Sequence, residues 1–341
     1  MRIAIDAMGG DHAPDAILAG CVDALDLLAP DDQLVLVGDQ VIIGQFLEQR
    51  GIADDSRVVV EPTTQVIGMG ESPVSALRSK TDSSIVRMAK LGGRGAGELY
   101  CDVIISAGNT GACVAAAQMS MRRLAGVHRP GIAVTIPTFH GPVVLCDVGA
   151  NPVPKPMHLH QYGHMAGVFA TRAIGINEPR VALLSIGGEE TKGTPMVQET
   201  HKLMKSDKTL NYVGYCEGRE LFDGRANVVV SEGFTGNVVL KLAEGLSAGL
   251  FKLIKKEIIE IDPQLALKFE PVVKQIYRKH DYHEYGGAPL LGAKGLCMIC
   301  HGSSEARTIV NAIKAAKHCT DLRINDAITE ILGKVESEVP A

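Results

Sequence analysis

The stretch Asp102–Ala117, DVIISAGNTGACVAAA, sets the architecture of this chain. It opens with a short apolar run ending at Ser106, closes in an alanine-rich segment, and joins the two through SAGNTGA (Ser106–Ala112). A brief apolar run closed by a glycine turn reads as a buried strand, and the alanines read as the helix that follows it. Asn109 or Thr110 supplies an oxygen to cap that helix, and Gly108 and Gly111 let another group approach the backbone closely. A strand that feeds straight into a helix is half of a βαβ unit, so a mostly parallel sheet with right-handed crossovers is expected.

The same pattern extends in both directions. Upstream, Arg2–Asp6, Leu34–Val37 and Arg57–Val60 read as strands, and Ala13–Leu28 reads as a helix with Pro14 near its start and Ile17, Cys21, Ala24 and Leu28 on one face. Downstream, IAVTIP, PVVLCDVG, RVALLSIG, ANVVVSEG and GLCMIC each end in a glycine or proline turn. The expected fold is therefore one α/β domain over residues 1–341, Rossmann-like, with helices flanking the sheet. Thr63–Gly97 is longer and more polar than an ordinary connection; it contains a helical patch at Ser83–Leu91 and reads as a cover. From 235 to 280 two long helical patterns meet at Asp262-Pro263, which predicts a helical hairpin with Leu246, Leu250, Leu253 and Ile254 in one apolar stripe.

Composition narrows the function. With 46% hydrophobic residues the chain can bury a substantial core, and a net charge of −5 offers no global field for nucleic acid. No run is long and apolar enough for a membrane span, and MRIAIDAMGG is too short and too early broken by Asp6 for a signal-peptide core, so a cytoplasmic protein is expected. The eight cysteines lie mostly in apolar runs, and Cys297 and Cys300, three apart on a strand, point to opposite faces rather than to one metal. His160 and His164 share a helix face at ligand spacing with His158 nearby, but no carboxylate accompanies them in that segment and no metal is expected.

Ligands of parallel sheets bind beyond the carboxyl ends of the strands, where helix N-termini offer free N–H groups. Five such turns stand out: SAGNTGA, DVGAN from Asp147, SIGGEETKGTP from Ser185, SEGFTGN from Ser231 and YGGAPLLGAKGLCMICHGSS from Tyr285. Together they predict one crevice for an anion, lined by backbone donors with Asn109, Asn151, Asn237, Lys192 and His301. The usual nucleotide signatures are missing: no P-loop, no G-x-G-x-x-G after a strand, and no G-x-S-x-G elbow. Ser303 in HGSS reads as a helix cap rather than a nucleophile.

Taken in order, IAIDAMGGDHAP, SAGNTGA, DVGAN, EGFTGN, YGGAPLLG and HGSS resemble the bacterial phosphate acyltransferase family PlsX from residue 3 to about 312. The resemblance implies transfer of a fatty acyl group from acyl carrier protein to inorganic phosphate, giving acyl phosphate for phospholipid synthesis, with no cofactor. It implies a fold like phosphotransacetylases and isocitrate dehydrogenases, a homodimer, peripheral membrane contact, and a downstream membrane glycerol-phosphate acyltransferase as a further partner. Lys192, Asn237 and His301 are the catalytic candidates, with Lys192 carrying the phosphate charge. Asn109, Thr110, Gly111, Asp147, Asn151, Gly193, Gly236, Gly287 and Ser303 are the candidates for binding substrate. In one place the chain departs from the family: after Asn151 it continues Pro152-Val153-Pro154, so an acidic role carried there by relatives does not transfer to Val153. Acyl carrier proteins are acidic, and Arg122, Arg123 and Arg129, or Lys274, Arg278 and Lys279, would form the basic docking patch. A dinucleotide-dependent dehydrogenase on a related fold and a non-catalytic scaffold for acyl carrier protein are the rival readings.

Overall fold

The structure is a computed structural model that describes residues 1–280 and 286–338. Strands β1 (Arg2–Asp6), β2 (Gln33–Gly38), β3 (Val58–Pro62), β4 (Val103–Ser106), β5 (Gly131–Ile136), β6 (Val143–Cys146), β7 (Val181–Ser185), β8 (Tyr212–Glu217), β9 (Val228–Val230), β10 (Ala288–Leu291) and β11 (Leu296–Ile299) join in one sheet. Its order is β3-β2-β1-β4-β11-β10-β5-β6-β9-β7-β8. The expected strands all appear, and β8 and β10 are added to them.

Alternation along each strand builds two cores. Ile3, Ile5, Val103 and Ile105 face one side, whereas Ala4, Ile104 and Cys297 face the other. Cys297 and Cys300 fall in different cores, as the strand spacing requires, and burial pushes the Cys300 thiol up to about 12. The helices on these faces are α1 (Asp15–Asp23), α2 (Gln40–Gln49), α3 (Pro73–Ser79), α4 (Ser84–Leu91), α5 (Thr110–Ser120), α6 (Pro156–Arg172), α7 (Pro195–Ser206), α8 (Gly233–Ile261), α9 (Pro263–His280), α10 (Ala306–Asp321) and α11 (Ile324–Glu338). Their caps match local chemistry: Asp39 accepts from the Val41 and Ile42 amides, Asn109 from Ala112, and Thr194 from Val197.

The sheet is mostly parallel but not of one direction. β3, β2, β1, β4 and β11 pair in parallel, as do β6, β9, β7 and β8. Between these blocks the pairings β11–β10, β10–β5 and β5–β6 are all antiparallel. Three reversals leave the two parallel blocks pointing opposite ways, so their carboxyl ends open at opposite edges of the sheet. This corrects the expectation that every glycine turn meets in one crevice.

Beyond the sheet, α8 and α9 form the hairpin, broken at Asp262-Pro263. Leu242, Leu246, Leu250 and Leu253 on α8 are more than half exposed. Among the described residues, no helix is long and apolar enough to cross a membrane. Tyr285 lies outside the described residues, as do the side chains of Lys274, Arg278 and Lys279.

Candidate active site

One hollow of about 390 Å³ lies over the antiparallel middle of the sheet. Ile132 and Val134 of β5, Ala288 of β10 and Ile299 of β11 form an apolar floor, extended by Val148 and Leu240. Three segments of the first block close one side. The loop after β1 contributes Asp11, whose amide donates to the Gly302 carbonyl at 2.7 Å, and α5 contributes Thr110 and Gly111. The turn after β11 adds His301 and Gly302. From the second block come Gly149, after β6, and Asn237, Lys241 and Glu244 along one face of α8.

The α5 entrance is built by buried hydrogen bonds. The Ser106 hydroxyl donates to the fully buried Asp6 carboxylate at 2.8 Å and accepts from the Gly108 amide at 3.0 Å. Burial raises the Asp6 pKa, against the hydrogen bonds that favour its anion. Asn109 spends its amide on the carbonyls of Gly68, Met69 and Glu71, at 3.0–3.2 Å, and its oxygen on the Ala112 amide. It therefore ties the segment read as a cover to the start of α5, and Met69 from that segment reaches the hollow. The first amides of α5 stay available as helix N-terminal donors.

Across the hollow, Lys241 sits one helical turn beyond Asn237, and its ammonium contacts both Glu244, at 2.9 Å, and His301 Nε2. Nδ1 of the same ring lies 2.7 Å from the Ser303 hydroxyl and accepts from the Ser303 amide at 3.2 Å. Lys241 was not among the candidates read from the sequence. Its one signal was the four-residue step from Asn237 along the same helix.

Other candidates turn out to hold the scaffold. Asp147 is fully buried and accepts from the amides of Ile132, Ala150 and Asn151 at 2.9, 3.0 and 2.7 Å, and from the Asn151 side chain at 3.3 Å. Burial raises its pKa, and those N–H groups pull the other way. Asn151 donates to the Pro130 carbonyl at 2.6 Å. A Cβ on Gly236 would lie 2.0 Å from the Asp147 carbonyl oxygen, so this glycine lets α8 pack on the turn. Asp147, Asn151 and Asn109 thus spend their side chains on hydrogen bonds within the scaffold, and Gly236 serves the packing of α8. Gly287, at φ +94°, does line the hollow.

The Lys192 turn lies elsewhere. Gly193 and Thr194 border a second hollow of about 410 Å³ with Ser185, Glu232 and Thr235, and Lys192 itself is exposed, with its stem against Gly187. β7 lies two strands beyond β6 in the sheet, so its turn opens to the side of the hollow although β6 and β9 end at the same edge. At the departure from the family pattern, Val153 is 93% exposed and Lys155 caps α6. Arg122, Arg123 and Arg129 are exposed in the connection between α5 and β5.

Among solved structures, the chain shares its fold with a phosphotransacetylase from Streptococcus pyogenes, at TM-score 0.61 and 16% identity over 97% of this chain and 94% of that one. The EutD phosphotransacetylase from Staphylococcus aureus aligns at TM-score 0.56 and 16% identity, over 93% and 94% of the two chains. The class defined by the fold is thus an α/β protein of phosphotransacetylase architecture. The family model described as "Fatty acid synthesis protein" matches residues 1–326. A phosphate acyltransferase of Desulfitobacterium hafniense (strain DSM 10664 / DCB-2) is 45% identical over 324 residues, covering 94% of each chain. Another, from Heliobacterium modesticaldum (strain ATCC 51547 / Ice1), is 44% identical over 339 residues, covering 98% of this chain and 99% of the relative. The chain belongs to this family, the PlsX phosphate acyltransferases, as its ordered motifs imply.

Packing separates glycines that a side chain would disrupt from glycines that tolerate one. Gly236→Ala should destabilise the fold by about 3 kcal/mol, the upper range for overpacking against unyielding backbone. Gly245→Ala, where a Cβ meets nothing within 4 Å, should be neutral or stabilising by up to about 1 kcal/mol. Urea melts of the two variants check this, and equal stabilities would show that α8 does not rest on the Asp147 turn.

Proposed function

We propose that this enzyme transfers a fatty acyl group from acyl carrier protein to inorganic phosphate, and that the reaction takes place in the hollow across β10 and β5. The observation that carries the reading is the pairing of an apolar floor with convergent hydrogen-bond donors: the α5 amides, Asn237, His301 and Lys241, whose ammonium also pairs with Glu244. Phosphate needs the donors, and the acyl chain needs the floor.

Hydrogen phosphate is already a nucleophile at neutral pH, so the enzyme's task is positioning and charge. Lys241 and Asn237 hold the phosphate while one of its oxygens attacks the thioester carbonyl. The α5 amides then stabilise the oxyanion, an effect worth roughly 3 to 4 kcal/mol per donor in other enzymes. Collapse breaks the carbon–sulfur bond, and the proton lost by hydrogen phosphate becomes the proton gained by the departing thiolate. His301, bridged between Lys241 and Ser303, lies where it can relay that proton. The exposed arginines 122, 123 and 129 offer a basic face to the acidic carrier.

The apolar stripe of α8 needs a cover, and a bilayer surface or a second copy of the chain would supply it. In liposome flotation the membrane reading predicts that the protein rises with the vesicles and that Leu250→Glu leaves it at the bottom. If the wild-type protein stays down and Leu250→Glu shifts the oligomer to monomer, the stripe belongs to a dimer.

Hydroxylamine traps acyl phosphate as hydroxamate, so product should appear only when acyl carrier protein loaded with fatty acid, phosphate and enzyme are combined. Lys241→Ala should raise the apparent KM for phosphate tenfold or more, the scale of a lost charged hydrogen bond, whereas Lys192→Ala should change it less than about twofold. The opposite ranking would move phosphate to the Lys192 turn, and hydroxamate independent of phosphate would refute the reaction.

A further inference from the structure

Across the sheet from this hollow, His160 and His164 project from one face of α6 toward the Asp207 carboxylate at the end of α7. Oδ2 of Asp207 lies 2.7 Å from Nε2 of each imidazole, and the three donor atoms all fall within 4.8 Å of one another. All three side chains are nearly inaccessible, at 6% or less. The sequence offered the histidine pair without a carboxylate. The fold supplies one from 43 residues beyond His164, which removes the reason for discounting a metal. We infer that His160, His164 and Asp207 form a binding site for one divalent first-row transition ion, of which zinc is the probe.

Several features match such a site. Two histidines four residues apart on a helix, joined by one carboxylate, make a three-ligand set that zinc accepts with a fourth position left open. Asp207 is held in place through its other oxygen, which accepts from the Thr209 amide at 2.8 Å and the Thr209 hydroxyl at 2.6 Å. Metal-ligating carboxylates are ordinarily fixed by such outer hydrogen bonds. A cleft of about 500 Å³ between α6, the 209–211 turn and α11 reaches His164, which gives an ion a way in and the open position a solvent ligand.

The geometry needs only a small adjustment. Ligand atoms around a tetrahedral zinc lie about 3.3 Å apart, so each nitrogen–oxygen pair must open by roughly 0.6 Å from its present contact. Leu159, Tyr162 and Met165 of α6 belong to the core on one face of the sheet, whereas Ile132, Ala288 and Ile299 of the reaction hollow belong to the other. The ion would therefore clamp α6 to the end of α7 without entering the acyl transfer, and this inference stands apart from the proposed activity.

The test uses the full chain after dialysis against a chelator. Titration with cobalt should give visible d–d bands that saturate at one ion per chain, and calorimetry should give a zinc Kd in the micromolar range or tighter. His164→Gln and Asp207→Asn should each weaken zinc at least 100-fold. Should either variant fail to fold, a zinc-soaked crystal of the wild-type protein decides the matter, because an anomalous peak must then lie between the three named atoms. Absence of stoichiometric binding, unchanged affinity in folded His164→Gln, or a peak elsewhere overturns the site.

Discussion

Between β11 and β6 the ladder runs antiparallel three times in succession, and the placement of the candidate site depends on that reversal. A wholly parallel sheet would collect its glycine turns along one edge. Here two parallel blocks face opposite ways, and the face of the sheet between them becomes the meeting ground. The first block supplies a helix N-terminus and the His301 turn at one side. The second sends α8 over the face, which brings Lys241 into contact with His301, 60 residues away in sequence.

The buried carboxylates make this arrangement rigid. Asp6 organises the turn before α5, and Asp147 gathers amides from β5 and the DVGAN turn beneath α8. Each lies out of solvent and is compensated by several hydrogen bonds, so losing one partner would leave a polar group unpaired at a cost of about 1 to 3 kcal/mol. Such turns fix donors in advance, which is what electrostatic stabilisation of a developing oxyanion demands.

Much of the fold was legible because strands and helices have different apolar periods. Asp102–Ala117 announced its strand, cap and helix, and Asp262-Pro263 announced the break in the hairpin. The direction of pairing was not legible: apolar runs such as IAVTI and PVVLC look the same in parallel and antiparallel ladders, and β10, with Pro289 in four residues, gave a weak strand signal. At the site, Thr110, Gly111, Asn237, Gly287 and His301 do line one hollow. Asp147 and Asn151 looked like ligands because polar residues at strand ends usually face solvent or substrate. Only the hydrogen-bond pattern of the turn shows that both are consumed internally. Lys241 was hidden among the ordinary lysines of a long helix, and Asp207 was hidden by its distance in sequence from the histidines it meets.

In the proposed reaction phosphate rests on Lys241 and Asn237, facing the α5 N-terminus across the hollow. Soaking crystals with arsenate, a phosphate mimic whose arsenic scatters anomalously, tests this directly. An arsenic peak in the hollow that puts arsenate oxygens within hydrogen-bonding distance of Lys241 and Asn237 is the predicted result, and a peak at the Lys192–Gly193 turn with none in the hollow would contradict it.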